Sequence, residues 1–269
     1  MTDPMHALSR TLFGLAVVVG GAAPSASIAR TEPTSFRGEY AVTYLGLPVA
    51  RSTMVSTLNG NSYTIEGSVA TAGLGKIFDD TKATLSVKGE MSGNGAVPVR
   101  AFTSYKHEKK SKSLTISFAS GNVVSTEMVP SPKPRAKDWI PVNDGDLRAV
   151  LDPLSAFLVK ARDMADVCSK PLKMYDGEMR VDIALTHKET ADIKIDGYSG
   201  PAVTCTARFK PVSGYRANKK SVKFMRDKGR ISITFAPLGR TGVYAPVHAS
   251  VGTEMGTLTL QARKVEMVN

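Results

Sequence analysis

Residues 168–205 read CSKPLKMYDGEMRVDIALTHKETADIKIDGYSGPAVTC, and their interpretation decides the fold. Both cysteines of the chain stand at the ends of this stretch. Between them lie Val181, Ile183 and Leu185 in alternation, then Ile193 and Ile195, then the turn residues Asp196-Gly197 and Ser199-Gly200-Pro201. Period-two alternation broken by glycine and proline is the grammar of antiparallel strands. Cys205 falls in phase with Val203, Ala207 and Phe209, which places its side chain on the buried face of a strand. Two cysteines in an exported chain point to a disulfide, whereas the same pair in a cytosolic enzyme points to catalysis or metal binding. A Cys168–Cys205 bridge closes a loop of about 37 residues, worth about 4 kcal/mol on a chain-entropy argument. The alternative is two buried thiols packed as small hydrophobes. A zinc site lacks the further close cysteine or histidine needed for four ligands.

The first 29 residues supply the export signal that the disulfide reading requires. Arg10 gives a positive n-region, Thr11 to Ala23 is an apolar run, and Ser27-Ile28-Ala29 offers small residues at the −3 and −1 positions. The run is too short to span a bilayer comfortably. The expectation is a signal peptide over 1–29, cleaved near Ala29, with a periplasmic product and one domain over 30–269. An uncleaved anchor is the alternative. Arg10 and Asp3 cancel, so the exported chain keeps the net charge of +11. Such a charge draws a protein toward anionic envelope material, namely phospholipid headgroups, lipopolysaccharide phosphates or peptidoglycan carboxylates. Nucleic acid is a poor partner in that compartment.

From Phe36 to Val129 the chain continues as strands and tight turns. Tyr40, Val42 and Tyr44 alternate, as do Tyr63, Ile65 and Val69, and then Ala83, Leu85, Val87 and Met91. Asn59-Gly60-Asn61, Ser92-Gly93-Asn94-Gly95 and Ser120-Gly121-Asn122 punctuate them. Turns at this spacing predict a mainly β, antiparallel meander with one buried and one wet face. Pro130 to Pro141 holds four prolines, several basic residues and the sole tryptophan, Trp139. It reads either as a partner-contacting loop with an aromatic anchor or as a linker whose Trp139 enters the core. Asp152 and Pro153 then open a helix whose Leu154, Phe157, Leu158 and Ala161 share one face, packed on or in a curved sheet. A second short helix is expected within Arg216 to Lys228.

Catalytic motifs are thin. His107, His187 and His248 stand at no metal-ligand spacing, and His187 reads as a solvated loop residue beside a turn. Gly197-Tyr198-Ser199-Gly200-Pro201 mimics a nucleophile elbow only superficially. Asn143-Asp144-Gly145-Asp146 lacks the later ligands of a calcium loop. No phosphate-binding or dinucleotide fingerprint occurs, so neither cofactor nor metal is expected and a non-enzymatic role is. The candidate site is instead an anion-binding surface built from Lys106, Lys109, Lys110 and Lys112 on one hairpin and Lys219, Lys220, Lys223 and Arg226 on a second segment. Whether these clusters share a face decides between a site and dispersed solubility charges.

Several short motifs in order resemble the exported Gram-negative envelope proteins grouped as domain of unknown function 3108. They are Tyr40-Ala41-Val42-Thr43-Tyr44-Leu45-Gly46, Leu151-Asp152-Pro153-Leu154-Ser155, Tyr175-Asp176-Gly177, Gly197-Tyr198-Ser199-Gly200-Pro201 and Pro211-Val212-Ser213-Gly214-Tyr215. The resemblance implies a periplasmic β-spiral or open barrel around a helix, and brings no reaction with it. The functional expectation is a binding or scaffold protein of envelope maintenance, with an unidentified envelope protein, lipid or peptidoglycan as partner and peripheral contact with an anionic membrane surface. A lipid or lipoprotein carrier with an acyl-chain cavity is the alternative, and a hydrolase a more distant one.

Overall fold

A computed structural model describes residues 33–78, 80–108 and 110–268. The expected leader and the expected cleavage position lie outside them. Strands form wherever apolar and polar residues alternate, and turns fall at the glycine-bearing positions between them. In the first half these are β1 (Thr34–Tyr44), β2 (Leu47–Asn59), β3 (Ser62–Thr71), β4 (Thr81–Ser92), β5 (Gly95–His107), β6 (Lys110–Ala119) and β7 (Asn122–Val129). A short strand β8 (Trp139–Ile140) follows, then β9 (Val159–Lys160) and β10 (Leu172–Tyr175). The second half holds β11 (Arg180–Ile195), β12 (Tyr198–Ser213), β13 (Tyr215–Arg216), β14 (Arg230–Pro237), β15 (Val243–Thr253) and β16 (Gly256–Val268). The helices are α1 (Gly75–Phe78), α2 (Pro153–Ala156) and α3 (Lys220–Asp227).

One long antiparallel sheet runs in the order β10-β11-β12-β14-β15-β16-β1-β2-β3-β4-β5-β6-β7, with β9 on the margin of β15. The first and last strands of the described residues therefore meet in the middle of the sheet, where β1 pairs β16 from Ser35↔Val268 to Tyr44↔Leu258. The terminal strands β10 and β7 do not pair with each other, so the barrel stays open. Segment 149–151 bridges the gap: Val150 N–H donates to Gly121 O at 3.0 Å, Leu151 N–H to Lys173 O at 2.9 Å, and Tyr175 N–H to Leu151 O at 2.8 Å. The bonds to Lys173 and Tyr175 cover part of the β10 edge, which would otherwise invite a second chain, while Gly121 lies in the turn before β7.

The interior is filled by side chains. Tyr63, Ile65, Val87, Ile116 and Phe118 from the first half pack with Val150, Leu158 and Tyr175. A second cluster places Val167, Val203, Ile233 and Phe235 around Cys168 and Cys205. The disulfide is formed, Cα to Cα 5.7 Å, and both cysteines are buried. It ties the 3-10 turn Met164–Cys168 to the core face of β12.

Two local expectations are corrected. The helix expected through Ala161 stops at Ala156. Asp152 does cap it, its Oδ1 accepting from Leu154 N–H at 2.9 Å and Ser155 N–H at 3.0 Å. Beyond that turn Val159 and Lys160 exchange helical bonds for pairing with Tyr244 and Val243, so Leu158 reaches the core from an extended segment. His187 lies within β11 rather than in a loop, because an irregularity between His187 and Glu189 lets pairing with Cys205 and Thr204 continue. Its ring remains exposed beside Thr190, 3.2 Å away.

Candidate functional site

Alternating strand direction sends the β5–β6 hairpin, the β10–β11 turn, the end of β12 and the start of β14 to the same rim of the barrel. Lys106, Lys110 and Lys112 occupy the β5–β6 hairpin and are exposed. Lys219, Lys220, Lys223 and Arg226 lie on and beside α3, which joins β13 to β14, and they too are exposed. Lys109 lies outside the described residues. The two clusters, more than a hundred positions apart in sequence, thus stand at one rim.

The β10–β11 turn, 176–179, is a shared wall. On one side lies a cleft of about 520 Å³ lined by Trp139, Asp176, Glu178, Tyr215, Arg216 and Lys219. On the other, Asp176 also lines a smaller interior space with Tyr105 and Leu114 of the β5–β6 hairpin. Asp176 fixes the turn itself, its Oδ1 accepting from Glu178 N–H at 2.9 Å and Met179 N–H at 2.7 Å. Gly214, at φ +79°, lets β12 pass against it, since a Cβ there would stand 1.8 Å from Glu178 O.

Trp139 does not enter the core. Pairing of Trp139 with Arg216 and of Ile140 with Tyr215 holds it at the rim, half-buried, with the Arg135 guanidinium 4.2 Å above its ring. Arg135 in turn pairs with Glu178. Arg216 Nε donates to Asp138 Oδ1 at 2.9 Å, and that hydrogen bond is the main cause holding the half-buried Asp138 carboxyl below its ordinary range. Arg226 is similarly occupied by Asp227, at 2.7 Å and 3.0 Å. The net positive charge of the rim is therefore carried mainly by lysines, which act as flexible point charges suited to phosphates and carboxylates. Sequence reasoning missed Tyr215 and Arg216 as cleft residues; their meeting with Trp139 depends on the two-residue pairing of β8 with β13, which leaves no periodic trace.

Inside the barrel one polar group stands out. Asp152 is 1 % exposed, and Ser155 beside it is fully buried with its Oγ 2.6 Å from the Tyr63 hydroxyl. Burial raises the Asp152 carboxyl above the usual carboxylate range, against the pull of the Ser155 hydroxyl and the capped N–H groups. Burial likewise raises the Tyr63 hydroxyl. An acid whose folded value is raised stabilises fully below its unfolded value of about 4, and that contribution is lost as pH rises through the folded value. Asp152→Asn keeps the capping oxygen and removes the titration. Wild type is thus expected to lose stability relative to this variant as pH rises from about 4 to 8 in thermal melts. Parallel curves would show that Asp152 does not ionise there.

The model for the family described as "Protein of unknown function (DUF3108)" matches residues 39–263. No curated protein matches the chain. Among solved structures, a beta-barrel-like protein of domain of unknown function DUF1849 from Brucella abortus is similar at a TM-score of 0.48 and 11% identity, over 89% of this chain and 99% of that one.

Proposed function

From the premise that the chain belongs to the DUF3108 family, we propose that it is a periplasmic envelope protein that works by binding, engaging anionic envelope groups through its basic rim. One observation carries the reading: two lysine clusters remote in sequence stand at the same rim, and the second sets Lys219 beside Trp139 in a cleft. Lysines hold anions electrostatically and without strict geometry, as lipid phosphates require. The buried disulfide supports an oxidising compartment. A binding role is also supported by the fate of Ser155, whose hydroxyl is sealed in the core against Tyr63 rather than offered to a substrate. The carrier reading has less support, because the interior space beside Asp152 measures about 160 Å³, below the range of about 300–1,000 Å³ typical of ligand pockets.

Co-sedimentation with vesicles tests the proposal. Mature protein should pellet with phosphatidylglycerol-containing vesicles, not with phosphatidylcholine alone, and release as salt rises. Triple variants Lys106→Ala/Lys110→Ala/Lys112→Ala and Lys219→Ala/Lys220→Ala/Lys223→Ala should each weaken binding about a hundredfold. Equal binding to neutral vesicles, or variants that bind like wild type, would refute it.

A further inference from the structure

Resting on the reading of the rim as a surface for anionic lipid, we propose that its hairpin tips also enter the membrane, with Leu45, Leu47, Leu74 and Met255 reaching the hydrocarbon beneath the headgroups that the lysines hold. Strand direction sends the β1–β2 turn, the β3–β4 connection and the β15–β16 turn to the same rim as the β5–β6 hairpin and the start of β14. In the order of the sheet these three tips stand between the two lysine clusters. Each presents a large apolar side chain to solvent. Met255 is 79 % exposed, the most of any large apolar residue among the described residues, and Leu45 and Leu47 are 60 % and 51 % exposed. Leu74 is exposed on the β3–β4 connection, which its N–H ties to β2 by donating to Pro48 O at 3.2 Å.

The tips are tied to one another. Leu45 N–H donates to Thr257 O at 2.9 Å, and the Tyr44 hydroxyl donates to Met255 O. Tyr44 pairs with Leu47 on one side and with exposed Leu258 on the other, so an apolar row crosses three strands behind the tips. Folding does not ask for these side chains. Leu45 has φ +50° and Gly46 φ +81°, in a two-residue turn whose first position ordinarily carries asparagine, aspartate or glycine. A leucine there strains the backbone and leaves its side chain wet, a combination that marks contact outside the chain. The flanks decide the occupant. Apolar tips between Lys106, Lys110 and Lys112 on one side and the α3 lysines on the other match an anionic bilayer, charged at its surface and apolar beneath. Charge at the tips is sparse: among the described residues Lys76 and Glu254 offset each other, and Asp80 lies two positions before Lys82, where β4 begins.

The test attaches an environment-sensitive NBD fluorophore at Met255→Cys, which is selective because Cys168 and Cys205 are consumed by their buried bridge. On phosphatidylglycerol-containing vesicles its emission should move to shorter wavelength, and lipids carrying a nitroxide in the acyl chain should quench it more than lipids carrying one at the headgroup. The same fluorophore at Asn94→Cys, in the β4–β5 turn of the opposite rim, should not respond. Leu45→Asn/Met255→Asn should weaken vesicle binding at least about tenfold, by the same factor at every salt concentration. Leu45→Asn alone should not lower thermal stability, because asparagine suits the turn. A label at 255 that stays unquenched while the protein pellets, equal quenching at 94, or a double variant that binds like wild type would each overturn insertion and leave the electrostatic reading of the rim standing. Absence of pelleting would overturn both. A label already shielded without vesicles, increasingly so with protein concentration, would assign the tips to a contact between copies of the chain and overturn the proposal.

Discussion

Replacing both cysteines, as Cys168→Ala with Cys205→Ala, is expected to lower the unfolding free energy by about 3–4 kcal/mol. That is a large share of the roughly 5–15 kcal/mol that holds a domain together. The bridge spans 37 residues, so its loss restores considerable freedom to the unfolded chain. It also frees the 3-10 turn Met164–Cys168 from β12 and loosens the cluster of Val167, Val203 and Phe235 around it. Alanine is the appropriate substitute because Cys205 is fully buried, and a serine hydroxyl there would add an unpaired polar group. Urea denaturation provides two readouts: the midpoint falls, and the slope rises because the unfolded state is less compact. A loss under about 1 kcal/mol would show that β10–β12 pairing already restrains this segment without the bridge.

Truncating Arg180 should cost a comparable amount. This arginine is 5 % exposed, at the start of β11. Its Nη1 lies 2.6 Å from Asp182 Oδ1 and donates to Val181 O at 2.7 Å, while its Nε donates to Asp146 O at 2.9 Å. Arg180→Ala therefore strands two carbonyls and a carboxylate, and releases the 143–147 turn that precedes the segment bridging the barrel's open edges. Breaking a buried pair from one side costs about 3–5 kcal/mol. Partial exposure of Asp182 places the expectation at the lower end, about 3 kcal/mol. Arg180→Lys keeps the charge but not the fork, and should lose about half as much. Calorimetric melts of the two variants separate charge from geometry; equal losses would assign the whole effect to the fork.

The all-β architecture was legible because each strand carries its own evidence. Tyr63 and Ile65 on β3, or Val203, Cys205 and Ala207 on β12, alternate within a few residues and end at glycine-bearing turns. The DUF3108 resemblance likewise survives comparison, over residues 39–263. The disulfide was legible from a lone pair of cysteines read together with the expected export leader, and the phase of Cys205 placed it on the buried face of β12. What was not legible depends on partners distant in sequence. Leu154, Phe157, Leu158 and Ala161 carry a helical period, yet the chain leaves the helix after Ala156 because β15 offers Val159 and Lys160 backbone partners. Trp139 gave no sign of its position, since Arg216, 77 residues onward, holds it at the rim. The union of the two lysine clusters is a property of strand direction summed over the sheet, which no local window contains. Lys109, expected in the first cluster, lies outside the described residues.

Trp139 is the chain's sole tryptophan and lines the rim cleft together with Lys219, so its fluorescence reports on the rim directly. Titration with phosphatidylglycerol vesicles should shift its emission to shorter wavelength as the rim meets the headgroups. The shift should reverse with salt and be absent with phosphatidylcholine. An emission spectrum that stays fixed while the protein binds, or that responds equally to neutral vesicles, would contradict the account.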